Sequence, residues 1–198
     1  MTESRYQELK SELLSLLSEK LDSRLTYHNL AHTKDVMRQV ERIAKGENIT
    51  DSNEIMLLKV AALFHDSGFL FVYRHHEEKS CQILVEHLKD GDFTPEEVLR
   101  IKGMIMATQI PQTPHNIMEK VICDADLDYL GRDDFERISN GLKEEFLIFS
   151  VIKHETDWDP LQIGFFEAHN YFTETCRQDR TPKKLEHLDL LKKNLRLT

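Results

Sequence analysis

Four short polar motifs carry the side chains of this sequence that could do chemistry. In chain order they are Tyr27-His28-Asn29-Leu30-Ala31-His32, His65-Asp66, His75-His76-Glu77 and Asp124-Ala125-Asp126-Leu127-Asp128. Imidazole and carboxylate groups are the ligands that suit divalent ions such as Mn, Mg, Zn, Fe, Co or Ni, and carboxylate is favoured as the ion becomes harder. Because the motifs are far apart in sequence, they can form one divalent metal site only if the fold brings them together.

The spacing within the first two motifs is compatible with such a site. His28 and His32 are four residues apart, so at the start of a helix they lie on one face about one turn apart. His65 and Asp66 are adjacent and cannot share a helix face, but both can reach one cation at a frayed helix end beside Gly68. Each motif alone is a weak signal, since single histidines are common in cores and on surfaces.

The acidic motif leaves its ligand open. If the segment is helical, Asp124 and Asp128 share a face while Asp126 projects about 200° away from Asp124, so the three cannot all reach one ion. We expect the carboxylates that do not bind metal to act as partners of ligand histidines or as helix caps. An acidic face in solvent is the alternative interpretation.

The elements that must position these motifs are predicted to be helices. Apolar residues recur at helical spacing from Tyr6 to Leu21, and Thr94-Pro95-Glu96-Glu97 is a strong helix start. The segment IMLLKVAALFHD is apolar almost all round, which is typical of a helix at the centre of a bundle. Further helices are predicted at about 29–45, 95–107, 116–130, 134–149, 160–177 and 182–195.

Alternation with a period of two is scarce, so the sequence predicts an all-α, single-domain helical bundle of seven to nine helices over residues 1–198. The motifs lie in the region 27–131, and we expect the C-terminal helices of 132–198 to pack on it. The cysteines, Cys81, Cys123 and Cys176, are odd in number and set among apolar residues, which favours reduced core thiols over a disulfide framework.

Charge and hydropathy exclude several classes of partner. Acidic residues outnumber basic ones 35 to 26, and no dense Lys/Arg block appears, so binding to duplex nucleic acid is not expected. No stretch approaches the ~20 apolar residues of a membrane span, and no secretory signal begins the chain, so we expect a cytoplasmic protein without a membrane partner. Whether the chain forms a homo-oligomer stays open.

In this order the motifs resemble those of the HD-domain superfamily, whose pattern is a His, a His-Asp pair and a distant Asp, all on helices. The YHNxxH string is similar to that of cyclic-nucleotide phosphodiesterases in this superfamily. The stretch CDADLDYLGRDDF, preceded by ATQIPQTPHN, is similar to small bacterial HD phosphohydrolases of unassigned substrate. The resemblance covers 27–131, roughly half of the chain, and implies an HD-domain, phosphodiesterase-like fold.

The resemblance also implies roles for single residues. His32, His65, Asp66 and Asp126 would hold the metal, with Asp124 as the alternative to Asp126, because an Ala-Asp-Leu string and a Cys-Asp string both occur at this position in the superfamily. Asp66 would thereby also belong to the catalytic group.

His28 would be the general acid for the leaving oxygen. His76-Glu77 with Ser80 resembles an HExxS segment near the active site of related hydrolases. There Glu77 would orient water, and His76 would bind a substrate phosphate or a second metal. A polar helix start, in which the glutamates complement the helix dipole, explains the same residues without a site.

Substrate contacts are less well specified. Asn29, His76, Arg74 and Arg132 are the candidates, since guanidinium groups pair with phosphate oxygens. Where many superfamily members carry another histidine for a second metal, this chain offers only Thr108 and His115, which weakens a two-metal site.

The sequence therefore predicts a metal-dependent phosphohydrolase, a phosphomonoesterase or phosphodiesterase, that hydrolyses a small phosphoester such as a nucleotide with metal-activated water. Two alternatives are a regulatory module that binds metal or nucleotide without turnover and a di-iron oxygenase of the same architecture. Iron with an oxygen-dependent spectrum would favour the oxygenase.

Overall fold

The structure, a computed structural model, describes residues 1–195, which form ten α-helices, three single-turn 3₁₀ helices and no β-strand. The 3₁₀ turns are Ser67–Leu70, Asp128–Gly131 and Glu155–Asp157. The α-helices are α1 (Glu3–Lys20), α2 (Leu30–Gly46), α3 (Ser52–Phe64), α4 (His76–His87), α5 (Pro95–Ala107), α6 (Ile117–Asp126), α7 (Phe135–Ile148), α8 (Trp158–Ala168), α9 (Glu174–Asp179) and α10 (Thr181–Leu195). The predicted all-α class is confirmed, and residues 196–198 of the predicted domain lie outside the described residues.

Helix α3 is the centre of the bundle, as its composition predicted. Asp51 caps it, because its Oδ1 accepts hydrogen bonds from the backbone N–H groups of Asn53 at 2.9 Å and Glu54 at 3.0 Å. From Val60 to Phe64 every residue is buried, and the helix contacts α1, α2, α4, α5 and α6. Burial on all sides fixes the position of its C-terminal end, where the His65-Asp66 pair follows.

The predicted helix starts are confirmed where local chemistry determines them. Asn29 caps α2. At the start of α5, Thr94 and Glu97 form a capping box, and Pro95 is the first residue of the helix. The apolar face of α2, which includes Val36 and Val40, packs on α3 and α6.

The predicted helix over 160–177 is wrong, which is one reason why the structure has ten helices rather than seven to nine. Helix α8 ends at Ala168 and α9 begins at Glu174. The break follows from a distant contact: the buried Asp124 carboxylate accepts the backbone N–H groups of Phe172 and Thr173 at 2.9 and 2.7 Å. These groups therefore cannot join a continuous helix. The predicted 116–130 helix is also shorter, ending at Asp126.

The cysteines and the core agree with the sequence. Cys81, Cys123 and Cys176 are free and buried. One cluster of buried apolar side chains extends from Tyr6 in α1 to Leu188 in α10. None of the helices in the described part of the chain is both long and apolar enough to cross a bilayer.

An ionic cluster ties the C-terminal helices to α2. The Asp128 carboxylate is fully buried and accepts hydrogen bonds from Arg42 at 2.5 Å and Arg180 at 2.8 Å, and Arg132 approaches it to 3.4 Å. A buried carboxylate needs such partners, because an unpaired charge in the interior is costly. Asp128 therefore has a structural task in connecting α2, the turn at Asp128–Gly131 and the start of α10.

Neutralising this carboxylate is expected to destabilise the fold. Asp128→Asn leaves the guanidinium groups of three arginines without their shared counter-charge, so the free energy of unfolding should fall by about 3 kcal/mol. Urea denaturation followed by circular dichroism measures this fall in the free energy of unfolding. The matched change in α10, Asp189→Asn at an exposed position, should cost less than about 0.5 kcal/mol. Equal losses for the two variants would contradict the role of the cluster.

Candidate metal centre

The cap of α2 positions His32 in the first turn of that helix. Asn29 Oδ1 accepts the backbone N–H groups of Ala31 at 2.9 Å and His32 at 3.3 Å, and Asn29 Nδ2 donates to the carbonyl of Thr26 at 2.9 Å. Both ends of the amide are thus engaged in the cap. Asn29 therefore positions His32; it also lines a cavity beside the cluster, so its role as a substrate contact stays a prediction.

The His65-Asp66 pair lies where α3 ends, and α4 clamps the following turn. Ser80 Oγ donates to the carbonyl of His65 at 2.7 Å and accepts the N–H of Gly68 at 2.8 Å. Gly68 must lack a side chain, because a Cβ there would lie 2.0 Å from the carbonyl oxygen of His76. The serine of the HExxS segment therefore fixes the turn that carries His65 and Asp66.

The orientation of the His65 ring is set by a backbone carbonyl. The ring is fully buried, and its Nδ1 lies 2.8 Å from the carbonyl oxygen of Ala62, to which it can only donate. In the neutral imidazole this leaves a lone pair on Nε2. Metal-binding histidines are held in the same way by a hydrogen bond on their other nitrogen.

Four potential ligand atoms from three helices converge. His32 Nε2 lies 3.4 Å from His65 Nε2 and 3.4 Å from Asp66 Oδ2, and the latter two atoms are 3.2 Å apart. Asp126 Oδ1 lies 3.1 Å from His32 Nε2 and 3.8 Å from His65 Nε2. Ligands at ~2.0 to 2.2 Å from a common ion are separated by about 3 to 3.5 Å in tetrahedral or octahedral geometry. The spacing of His32, His65 and Asp66 therefore fits one small divalent ion, and Asp126 lies beside this group, nearest to His32.

The electrostatics of the cluster favour positive charge between these atoms. Asp66 Oδ2 is buried and makes no hydrogen bond, although two imidazole nitrogens lie near it. Burial raises the pKa of Asp66, but its histidine neighbours, His65 above all, outweigh burial and hold it well below the usual range. Burial lowers the pKa of His32, but Asp126 and Asp66 raise it by more, to about 10. A cation would satisfy the same groups.

Asp126, and not Asp124, faces the histidines. Asp124 is fully buried on the other side of α6, where its carboxylate accepts two backbone N–H groups and the hydroxyl of Thr173 at 2.5 Å. Burial raises the pKa of Asp124 to about 6 in spite of these hydrogen bonds. Asp124 as a ligand is therefore corrected: its side chain holds the connection between α8 and α9.

His28 is paired with a carboxylate that the sequence analysis missed. Its Nδ1 lies 2.5 Å from Glu145 Oε1, and Glu145 Oε2 accepts the backbone N–H groups of Tyr27 at 2.9 Å and His28 at 3.0 Å. Glu145 is fully buried, which raises its pKa, but His28 lowers it by more, so the group is a carboxylate. The missed signal is periodicity, since Glu145 occupies the same face of α7 as the apolar Phe135 and Leu142.

His76 and Glu77 form a second edge of the cluster at the start of α4. His76 Nε2 lies 3.4 Å from Asp66 Oδ1 and 3.5 Å from Glu77 Oε1. Burial lowers the pKa of His76, but Asp66 raises it by more. The Phe69 ring stacks on both His28, at a centroid distance of 4.2 Å, and His76, at 4.0 Å. Both residues thus lie beside the cluster, and they also begin a helix.

The remaining predicted contacts lie farther out. Arg74 is exposed and lines neither of the two cavities that reach the cluster. Arg132 lines one of them, but its guanidinium is paired with Asp35 at 2.6 Å and with Asp134 at 2.9 Å.

Neither Thr108 nor His115 belongs to the group of candidate ligand atoms that the described residues form. Thr108 donates its hydroxyl to the carbonyl of Ile105 at 2.7 Å. His115 is exposed, outside the cluster that the described residues form around His32, His65 and Asp66.

Two cavities reach the cluster and share Tyr27, Asp126 and Tyr129. The first, of about 190 Å³, is polar and contains His32 and Arg132. The second, of about 290 Å³, contains Asp66 and is otherwise lined mainly by apolar side chains. A small molecule in either cavity would lie against the candidate ligands.

The fold is shared with two solved structures. One is titled a predicted HD superfamily hydrolase from an uncultured Thermotogales bacterium; it is 21% identical, with a TM-score of 0.61 over 93% of this chain and 90% of that one. The other, from Lactobacillus plantarum, is 20% identical, with a TM-score of 0.65 over 100% of this chain and 99% of that one. No family model and no curated protein matches the sequence. The chain therefore shares its helical fold with the structure that is titled a predicted HD superfamily hydrolase.

Proposed function

We propose that this chain is a metal-dependent phosphohydrolase that cleaves a small phosphoester with a metal-activated water. The observation that carries the proposal is the convergence of His32, His65 and Asp66 at ligand spacing, with the Asp126 carboxylate 3.1 Å from His32. A solved structure of the same fold is titled a predicted HD superfamily hydrolase, which supports the same class of reaction. The donor set of two imidazoles and two carboxylates suits Mn, Fe, Co, Ni, Zn or Mg.

A divalent ion held by these residues would supply the Lewis acid: it would lower the pKa of a bound water toward neutrality and polarise a phosphoryl oxygen, so no protein nucleophile would be needed. The chain supplies the rest. Asp66 and Asp126 place negative charge beside the ion, and Ala62 and Asn29 hold the two histidines in position through their backbone and side-chain hydrogen bonds. Glu77, buried at the edge of the cluster, orients water.

His28, held in place by Glu145, protonates the leaving oxygen. Because the Glu145 carboxylate engages Nδ1, the other ring nitrogen of His28 is the one that can deliver a proton into the adjacent cavity, which His28 lines. The Tyr73 hydroxyl donates to the same Glu145 oxygen at 3.1 Å and helps to fix the pair.

The direct test is a panel of phosphoesters assayed for release of phosphate with Mn, Mg, Co, Zn, Ni and Fe, with elemental analysis of the purified protein. Turnover that depends on the metal supports the proposal. Tight binding of metal or nucleotide without product over hours would instead indicate a regulatory module.

We expect the two neighbouring aspartates of α6 to differ in their effect on metal. Asp126→Asn removes a ligand, so Mn affinity and kcat/KM should fall by about 100-fold or more. Asp124→Asn is the matched control, because Asp124 bonds to Phe172 and Thr173; it should lower thermal stability but retain one Mn per chain. Isothermal titration with Mn measures both. Loss of metal in Asp124→Asn with retention in Asp126→Asn would contradict the assignment.

Metal binding should also stabilise the wild-type fold. At a Mn concentration 100 times its Kd, the free energy of unfolding should rise by about 2.7 kcal/mol, because the ion binds only the folded chain. Urea denaturation with Mn and with a chelator measures the difference. The Asp126→Asn variant should show almost none of it, and an equal gain in that variant would place the ion elsewhere.

The fall in kcat caused by removing the general acid should depend on the leaving group. His28→Asn should lower kcat for an alkyl phosphate by about 10² to 10⁴, because the alkoxide leaves only with a proton. Hydrolysis of p-nitrophenyl phosphate should suffer much less, since its phenolate leaves readily without one. Glu145→Gln should show the same pattern more weakly, and the exposed control His115→Asn should show neither effect. An equal loss on both substrates would exclude the proton-transfer role of His28.

A further inference from the structure

The 290 Å³ cavity at the candidate metal centre has an apolar wall that the proposed mechanism does not use. At one end it is bounded by Asp66, Asp126, His28, His76 and Glu77. The opposite wall comes largely from α7 and α8 and includes Leu142, Phe146, Trp158, Leu161, Phe165 and Phe166. The volume is near the lower end of the ~300 to 1,000 Å³ that small-molecule sites occupy.

This cavity offers little to a polar group beyond the phosphate. Among the described residues, neither Lys nor Arg lines it. Gln162 donates its amide to the Ser139 hydroxyl, and Thr108 donates its hydroxyl to a backbone carbonyl. A ribose or a base placed here would lose hydrogen bonds to water and regain few, which opposes binding.

The polar cavity on the other side of Tyr27 and Tyr129 does not supply free cations either. Its arginines, Arg38, Arg132 and Arg137, are each hydrogen-bonded to Asp35 or Asp134. A second phosphate of a nucleoside polyphosphate would have to compete with these carboxylates for the arginines. The arrangement favours a substrate with a single phosphoryl group at the metal.

The position of His28 decides on which side the leaving group lies. His28 lines the apolar cavity and is absent from the lining of the polar one. A general acid must contact the leaving oxygen, so the alcohol that departs must extend into the apolar cavity.

We infer, on the basis of the proposed phosphohydrolase function, that the substrate is a phosphate monoester of an apolar alcohol, a short alkyl or aryl compound, whose hydrocarbon part contacts the wall formed by α7 and α8. In the reaction a water oxygen bonds to phosphorus as the bond between phosphorus and the alcohol oxygen breaks. The proton from His28 goes to that oxygen, and the products are the apolar alcohol and inorganic phosphate. The attacking water loses one proton as its oxygen bonds to phosphorus, and this proton, carried by solvent water, restores His28.

Matched alkyl esters test this inference. n-Hexyl phosphate and glycerol 1-phosphate both lose a primary alkoxide, so they differ mainly in the polarity of the leaving group. With the Mn-loaded enzyme, kcat/KM for n-hexyl phosphate should exceed that for glycerol 1-phosphate and for adenosine monophosphate by about tenfold or more. A preference for either polar ester would overturn the inference while leaving the phosphohydrolase function intact.

One variant in the apolar wall and one control outside it test whether the wall causes the preference for n-hexyl phosphate. Leu161 is 44% exposed, so Leu161→Asn should fold; it should raise KM for n-hexyl phosphate about tenfold and change that for glycerol 1-phosphate much less. Leu185→Asn, at a residue of α10 that is 50% exposed and lies outside the cavity lining, should change neither. Equal effects of the two variants on n-hexyl phosphate would contradict the assigned wall.

A binding experiment tests the apolar cavity independently of catalysis. If no ester is hydrolysed, the proposed function fails, and isothermal titration of the Mn-loaded protein with n-hexylphosphonate and methylphosphonate decides the cavity question. Tighter binding of the hexyl compound by about tenfold, lost in Leu161→Asn, supports an apolar ligand. Equal binding of the two phosphonates, or binding of neither, overturns it.

Discussion

The candidate metal centre is arranged around one carboxylate oxygen that is buried without a hydrogen bond. Asp66 Oδ2 lies within 3.4 Å of two imidazole nitrogens and is closed off from solvent, and a carboxylate from α6 approaches the same nitrogens. Such a concentration of negative charge in a low-dielectric interior is costly unless a cation offsets it. In the structure the imidazoles of His32 and His65 face this charge, and under the proposed function a metal ion held by the surrounding helices would offset it.

Each part of that site is fixed by hydrogen bonds that do not involve an ion. The carbonyl of Ala62 orients His65, the Asn29 cap sets the first turn of α2, and Ser80 fixes the turn after Asp66. Farther away, the buried Asp128 ties α10 to α2. Ligands held in advance lose little conformational freedom when a metal binds. The same rigidity keeps the His28 ring, stacked on Phe69, at the mouth of the apolar cavity.

Local chemistry explains what the sequence predicted well, and long-range contacts explain what it did not. The start of α5 follows from the capping box at Thr94, and the central position of α3 follows from its apolar composition. The division of 160–177 into two helices depends on Asp124, which bonds to Thr173 49 residues later in the chain. The pairing of His28 with Glu145 spans 117 residues. Neighbouring residues in sequence contain no sign of either contact, so the sequence favoured Asp126 by resemblance only, whereas the fold shows Asp126 beside His32 and Asp124 bonded to Thr173.

Anomalous diffraction from crystals grown with Mn tests the central claim most directly, because it locates the ion without any assumption about activity. The account predicts a single strong peak among His32, His65, Asp66 and Asp126, at about 2.0 to 2.3 Å from each ligand atom. A peak at another group of residues, or none among these four at saturating Mn, would contradict it.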